Sequence, residues 1–492
     1  MKRIFISVIL ITLFSPIFIK AQDIIGQEIF FNIESSYDFS GRDSLTAVLI
    51  KISPRAYWLA DSAWWKSLGT EEQKITGESL DSLILEFEDD IYPILTRTFG
   101  LEWTPGIDKD TRITILIHPM KKESGGYINL ANEYPKVQAP ESNEREMIYL
   151  SSQYINTPDI KVFLAHEFVH LVTFNQKDKI NNVSEDVWLN EARADFSSTL
   201  LGYDKKYEGS NLQGRVKDFL DRSSDSLTEW RETAGDYGVV NLFTQYLVDH
   251  YGVSILADSI KLRKTGIESL NAILVRQGFK EDFVQIFNNW AIAVLLNNCQ
   301  VSEKYCYYNQ NLKDFRLVPL VNYLPFVGDS VLSVNNTTKD WSGNWHRFIG
   351  GRGRLEIEFK VNGNSQFKVP YIIEDSQGNL SVNNLILDTN GTGRITLENF
   401  GIQYASLTII PIAQNKISGF NGIQPSYSFF WSAATKTNQA QVIREEPKAD
   451  MGKEKAIAEL KNQITAIQLK IIELLKQLIQ LLLTELAPSA NM

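Results

Sequence analysis

Histidine is scarce in this chain of 492 residues, with five in all, and cysteine is scarcer still, with two. Two cysteines cannot make a disulfide-stapled scaffold or a cysteine-based metal cluster. Basic charge is also in deficit. Forty-nine Lys and Arg against 59 Asp and Glu leave a net charge of -10, which argues against nucleic acid as a partner. No long uninterrupted apolar run of bilayer-spanning length occurs. What remains is ordinary: 43% hydrophobic and 22% charged residues, the composition of folded soluble domains, over a length that allows two or three of them.

The N-terminus has a basic start, Lys2 and Arg3, then an apolar stretch from Ile4 to Phe14, then Ser15, Pro16 and, further on, Ala21. This order reads as a secretory signal over residues 1–21, so the expected location is extracellular, cell-surface or periplasmic. In an exported protein Cys299 and Cys306, close in sequence, are expected to pair and pin a small loop after the apolar stretch Trp290 to Leu296.

The remainder divides by pattern. Residues 22–157 read as mixed α/β, with strands at Leu45 to Ile52, Arg112 to Ile117 and Met147 to Leu150, and helical spacing from Leu80 to Phe99. Residues 158–325 are dominated by helical spacing, with helices expected at 158–174, 187–201, 238–251 and 281–297. From 326 to 433 short runs of Val, Ile, Thr, Tyr and Phe alternate with turn pairs such as Asn362-Gly363 and Asn390-Gly391, the rhythm of an all-β sandwich. A polar linker is expected over 434–455. Beyond it, Ile457, Leu460, Ile464, Ile467, Ile471, Leu474, Leu478 and Leu481 keep a heptad seam, so residues 456–486 are expected to form a coiled-coil helix that self-associates or docks on a surface partner.

Two of the five histidines fall in one pentapeptide, His166-Glu167-Phe168-Val169-His170, inside a stretch whose Val162, Phe163, Leu164, Leu171 and Val172 make a buried helix. Thr157, Pro158 and Asp159 suit the helix start as N-cap, first-turn proline and dipole partner. Histidines four apart share one helical face and can bind one metal ion. Glu167, beside the first ligand, is placed to accept a proton from water there. The bland alternative, two core histidines without a metal, leaves costly buried imidazoles. A catalytic zinc also needs a third protein ligand, and Trp188-Leu189-Asn190-Glu191-Ala192-Arg193-Ala194-Asp195 offers Glu191, with Asp195 one turn later to accept a ligand histidine's second N–H. Read blandly, Glu191 and Asp195 are surface charges.

HEFVH followed by WLNEARAD resembles the gluzincin metallopeptidases, and FGLEWTPGIDKDTRITILI, GGYINLANEYP, SNEREMIYL and DYGVVNLFTQYLVDHYG resemble the secreted bacterial hyicolysin-type branch. That resemblance covers roughly residues 85 to 255. It implies an α+β zincin-like catalytic domain over 22–325 and one zinc ion held by His166, His170 and Glu191, with Glu185 and Asp186 the nearest substitutes for Glu191. It also implies Glu167 as general base and Asp195 as partner of a ligand. Tyr237 is the implied oxyanion donor, with Tyr246 and His250 as rivals, and Met147 to Leu150 resembles the edge strand that pairs with a peptide substrate in such enzymes.

Other signals are weaker. Asp388 to Gly393 partly resembles a calcium loop but reads better as a hairpin turn, because Asn399 stands where the loop needs Glu. His118 and His346 stand alone and read as structural. The reading is a secreted zinc endopeptidase acting on a protein or peptide. The alternative is a surface adhesion or scaffold protein with a vestigial peptidase domain, against which the intact ligand set argues. An aminopeptidase would need an N-terminus-binding motif that the sequence does not show.

Overall fold

The computed structural model describes residues 23–436, apart from 327 and 421, together with residue 470. The expected signal over 1–21, most of the expected linker and all but one residue of the expected coiled-coil helix lie outside the described residues.

Strands β1 (Glu28–Asn32), β2 (Ser44–Ile52), β3 (Ala56–Asp61), β4 (Ile113–His118), β5 (Gly126–Tyr127) and β6 (Met147–Ser151) form one mixed sheet in the order β1-β2-β3-β4-β6-β5. The run β3-β4-β6 is parallel and buried at every residue, as aliphatic and aromatic strands covered on both faces must be. One face gives Ile115, Ile117, Ile148 and Leu150 to the main core with Leu164 and Phe168. The other gives Leu59, Leu116, Met147 and Tyr149 to a smaller core with Phe31 and Leu45.

Helices α1 (Ser62–Ser67), α2 (Thr70–Glu86) and α3 (Tyr92–Phe99) cross from β3 to β4. The helical stretch expected from Leu80 to Phe99 is broken by a π-helical turn at Phe87–Ile91. Pro93 explains the break, since it has no N–H for the carbonyl of Asp89 one turn back.

Then follow α4 (Ile160–Phe174), α5 (Val187–Leu200), α6 (Asn211–Asp221), α7 (Ala234–Tyr251), α8 (Ser254–Ser259), α9 (Gly266–Gln277) and α10 (Phe283–Leu296). The four expected helices are α4, α5, α7 and α10. The N-cap assigned to Thr157 is corrected: its hydroxyl donates to the Tyr154 carbonyl at 2.9 Å, and α4 starts at Ile160 without a side-chain cap. Beyond α4, the fully buried Glu185 binds Lys177 at 3.1 Å and Arg193 at 2.8 Å and accepts the Gly266 N–H at 2.7 Å. This buried ion cluster ties α5 to α9 and to the turn after α4.

The all-β part starts at β7 (Leu320–Leu324), ahead of the expected boundary at 326, because β7 pairs with β9 (His346–Gly350) rather than with the helical part. It continues through β8 (Ser330–Thr338), β10 (Gly353–Val361), β11 (Phe367–Lys368), β12 (Pro370–Asp375), β13 (Leu380–Asn384), β14 (Thr392–Phe400), β15 (Tyr404–Ile409), β16 (Ile412–Ala413) and β17 (Tyr427–Lys436). Nine of these strands form one hydrogen-bonded sheet, which turns a corner at the pairing of Phe400 with Tyr404. Beyond that corner the sheet folds back on itself: Phe348 of β9 packs edge-on against Trp431 of β17 at 4.9 Å, although these strands are not neighbours. Their alternating inward residues make a core of their own.

The two parts share a seam. Trp341 lies edge-on to Phe283 at 4.9 Å and to Phe287 at 5.5 Å, and the Trp345 indole donates to the Ala291 carbonyl at 2.8 Å. Both belong to one compact unit that ends at Lys436. Cys299 and Cys306 are disulfide-bonded, as expected. The Asp388 segment is a turn: its carboxylate accepts the N–H groups of Asn390 and Thr392, so the hairpin reading holds. Among the described residues no helix is long and apolar enough to cross a membrane.

Candidate metal centre

Helix α4 is buried on nearly all sides, so the positions of His166 and His170 are fixed by packing and not by the imidazoles themselves. Their rings stand one turn apart on one face, with centroids 4.8 Å apart. Helix α5 lies against α4 and brings Glu191 to both. Glu191 Oε2 is 3.2 Å from His166 Nε2, and Oε1 is 3.6 Å from His170 Nε2.

Those separations are also the ones a shared metal ion sets. Zinc holds His nitrogen and carboxylate oxygen at 2.0–2.2 Å in a tetrahedron, which puts neighbouring ligand atoms about 3.3 Å apart. One donor atom from each of His166, His170 and Glu191 falls within 4.8 Å of the others, the one such group of three among the described residues. Glu191 Oε2 is buried and has no hydrogen-bond partner, an unsatisfied acceptor that a cation would satisfy. Two nitrogens and one oxygen leave a fourth position open, the donor set of a catalytic rather than a structural zinc. The residues fit the ion.

No protein-family model matches the chain, and no curated protein does. Among solved structures, the pre-peptidase C-terminal domain of a collagenase from Bacillus anthracis is similar over 24% of this chain and 96% of its own, with 5% identity and a TM-score of 0.17. A periplasmic inhibitor of g-type lysozyme from Aeromonas hydrophila is similar over 24% of this chain and 98% of its own, with 7% identity and a TM-score of 0.17. A GH115 4-O-methyl-α-glucuronidase is similar over 68% of this chain and 53% of its own, with 10% identity and a TM-score of 0.13. At such scores none bears on what the chain does, and the site has to be read from its own chemistry.

Glu167 points from the same helix turn and is buried. Burial, with Glu191 adding to it, pushes its carboxyl up to about 7 against the pull of His170. For Glu191 burial also opposes charge, but His170 and His166 outweigh it and hold the carboxyl below its usual range. Tyr237, near the start of α7, has its ring 6.4 Å from that of His166, with Trp230 at 4.9 Å and the Arg215 guanidinium 4.5 Å over its face. Burial first, then the charges of Glu191 and Glu167, raise its pKa, so at neutral pH it keeps its proton and is a donor.

Asp195 occupies the expected turn of α5 but not the expected bond. Its Oδ1 accepts from Arg215 Nε at 3.0 Å and Nη2 at 2.9 Å, and its Oδ2 accepts from Asn241 at 2.6 Å. Its influence on His166 is electrostatic. Asp195 therefore positions Arg215, and through it the Tyr237 ring, rather than holding a histidine tautomer. Arg215 and Asn241 lie in α6 and α7 with no local motif, which is why spacing alone does not reveal them.

The rival residues are elsewhere. Tyr246 donates to the Lys304 carbonyl at 2.8 Å and His250 bonds the Cys306 carbonyl at 2.9 Å, both on the disulfide loop. Glu185 belongs to the buried ion cluster, and the Asp186 side chain packs against Gly266. His118, edge-on to both Tyr127 and Tyr149, and His346, held down to about 4 by burial, are core residues.

The expected edge strand is also corrected. β6, with Met147 to Leu150, lies between β4 and β5, so among the described residues the open edge on this side of the sheet belongs to β5. The Gly125 carbonyl accepts from the Ser151 N–H at 2.9 Å, and by antiparallel alternation the Gly126 N–H and C=O point away from β6. Gly126 also lies against the helix: a Cβ there would meet Glu167 Cγ at 3.1 Å and the Tyr149 carbonyl oxygen at 2.9 Å. Only glycine lets this edge approach Glu167 so closely.

Proposed function

We propose that the chain is an exported zinc-dependent endopeptidase of the gluzincin kind, acting on extended protein or peptide segments. The observation that carries this reading is the gathering of His166, His170 and Glu191, whose donor atoms lie within 4.8 Å of one another with the Glu191 oxygens 3.2 and 3.6 Å from the two histidine nitrogens.

A zinc ion held there would supply Lewis-acid polarisation of a peptide carbonyl and make nearby water more acidic. Glu167, buried and next to His166, accepts the proton from the attacking water and passes it to the leaving amine. The Tyr237 hydroxyl keeps its proton and donates to the developing oxyanion. The outward-facing N–H and C=O of Gly126 hold an extended backbone as an added strand, which aligns a peptide bond beside Glu167. Asp195 and Asn241 keep Arg215 against the Tyr237 ring and so orient the donor. The Cys299–Cys306 bond suits an oxidising compartment, in line with export.

The test is metal content and turnover on one preparation. Purified protein should hold one zinc per chain and cleave an unfolded protein such as casein. Glu167→Gln should keep the zinc and lose at least 100-fold in turnover, the scale of a lost general base. Undiminished cleavage by that variant, or a chain that binds no zinc, would defeat the assignment.

A further inference from the structure

A tyrosine from the N-terminal end of the described chain stands against the outermost strand of the first sheet. The Tyr149 and Tyr127 rings of β6 and β5 are stacked at 4.3 Å with planes 4° apart. Tyr37 continues the stack on the far side of Tyr127, at 4.5 Å and 16°. Tyr37 belongs to no strand. It sits in the connection between β1 and β2, yet its ring lies about one strand spacing beyond the open edge of β5.

The connection that carries it is anchored throughout. The Tyr37 carbonyl accepts the Lys121 N–H at 3.0 Å, and the Phe39 N–H donates to the Pro119 carbonyl at 3.1 Å. The next residue, the buried Asp38, is bonded by the N–H groups of Ser40 and Arg42 and by the Arg42 guanidinium, which also reaches Asp61 at 2.7 Å. On its other flank the Glu34 N–H donates to the Tyr127 hydroxyl, and the Asn129 amide donates to the Glu34 carboxylate at 2.7 Å. These contacts hold the backbone on both sides of Tyr37, and its half-buried ring rests on that of Tyr127. The Tyr37 hydroxyl is held above the usual phenol range, first by burial and then by the charges of Glu232, Glu167 and Glu191.

Side chains alternate faces along a strand. Gly126 opens the face toward Glu167, whereas Tyr127 points to the opposite face. A peptide added to β5 through Gly126 would place one residue across from Tyr127, with its side chain where the Tyr37 ring already stands. We infer that Tyr37 is a specificity-determining residue, a size filter that admits only glycine or another small residue at the peptide position across from Tyr127. This rests on the peptidase reading for the identity of the ligand, but the geometry of the filter is that of the sheet edge alone.

The experiment uses full-length Glu167→Gln protein, in which peptides can bind without being cut. Calorimetry would follow a peptide series, drawn from a wild-type library digest, in which one position at a time is Gly, Ala, Val or Phe. At one position Gly or Ala should bind about tenfold or more tightly than Phe, the scale on which a filled pocket rejects bulk. Adding Tyr37→Ala should erase that difference, and Tyr37→Phe should keep it, since the ring and not the hydroxyl fills the space. Zinc content and near-UV circular dichroism equal to the parent would show that the variants are folded. If folded Tyr37→Ala protein discriminates as the parent does, the filter is overturned and the peptidase reading stands. If wild-type protein cleaves nothing, the series is drawn from an unselected library instead. Loss of discrimination there would sustain the filter while the catalytic reading falls. If no peptide binds either form, both are overturned.

Discussion

Glu191 Oε2 lies 3.2 Å from His166 Nε2, across the contact between two helices. Without an ion, His166 meets this carboxylate only with a proton on Nε2; with one, the metal takes the place of that proton and both side chains become ligands. Replacing Glu191 with Ala should therefore weaken zinc binding by more than the 10–100-fold typical of an outer partner. Competition with a chromophoric chelator measures it. An unchanged affinity would show that Glu191 is not a ligand.

Asp195 is buried and Arg215 partly so, and two guanidinium nitrogens meet one carboxylate oxygen. Removing one charge strands the other, so Asp195→Asn should cost about 3 kcal/mol in denaturant unfolding. Arg215→Gln combined with it should cost clearly less than the sum of the two single changes. Additive losses would mean that the two residues are not coupled.

Glu185 is held between Lys177 and Arg193. Burial opposes its charge, but Arg193 and Lys177 keep the carboxyl below its usual range. A depressed carboxyl contributes stability at neutral pH that is lost as pH falls from the unfolded value through the folded one. Glu185→Gln should flatten this acid limb of the stability profile and cost about 3–5 kcal/mol at pH 7, because two buried cations lose their anion. Thermal melts from pH 3 to 7 would show both effects.

Glu133 and Glu146 behave in the opposite sense. Both are buried, and Glu133 Oε2 has no hydrogen-bond partner. Burial raises both carboxyls, and the Glu146 charge lifts Glu133 further, with Asp108 raising and Lys179 lowering it by smaller amounts. The folded chain thus holds more protons than the unfolded chain above the ordinary glutamate value of 4.5, so stability falls as pH rises through the raised values. Glu133→Gln, which mimics the protonated form, should raise the melting temperature at pH 8–9 and change it little at pH 5. A gain equal at both pH values would refute the buried-pair explanation.

The disulfide closes a short loop that packs on α7 through Tyr246 and His250. Changing Cys299 and Cys306 to Ser should cost about 2–3 kcal/mol by the loop-entropy relation. Zinc content should be unchanged, because the loop touches none of the metal-binding side chains.

How much of this could be read from the sequence depends on where each signal lies. The helix of His166 and His170 and the placement of Glu191 were legible because ligand spacing and apolar periodicity are both local. Asp195 was legible as a position but not as a bond, since Arg215 and Asn241 reach it from helices that are distant in sequence. The open edge was misplaced because β6 carries the apolar strand signature, whereas the true edge, β5, is two residues long and begins with glycine. Tyr37 carried no signal at all. Its place against the sheet edge arises only when an N-terminal turn and a two-residue strand meet.

The tryptophan seam has one more consequence. With Trp341 and Trp345 inserted against α10, the folded-over sheet cannot pivot on its own. Cutting the chain before Leu320 would therefore strip the lining from Phe283 and Phe287 rather than release a spare part.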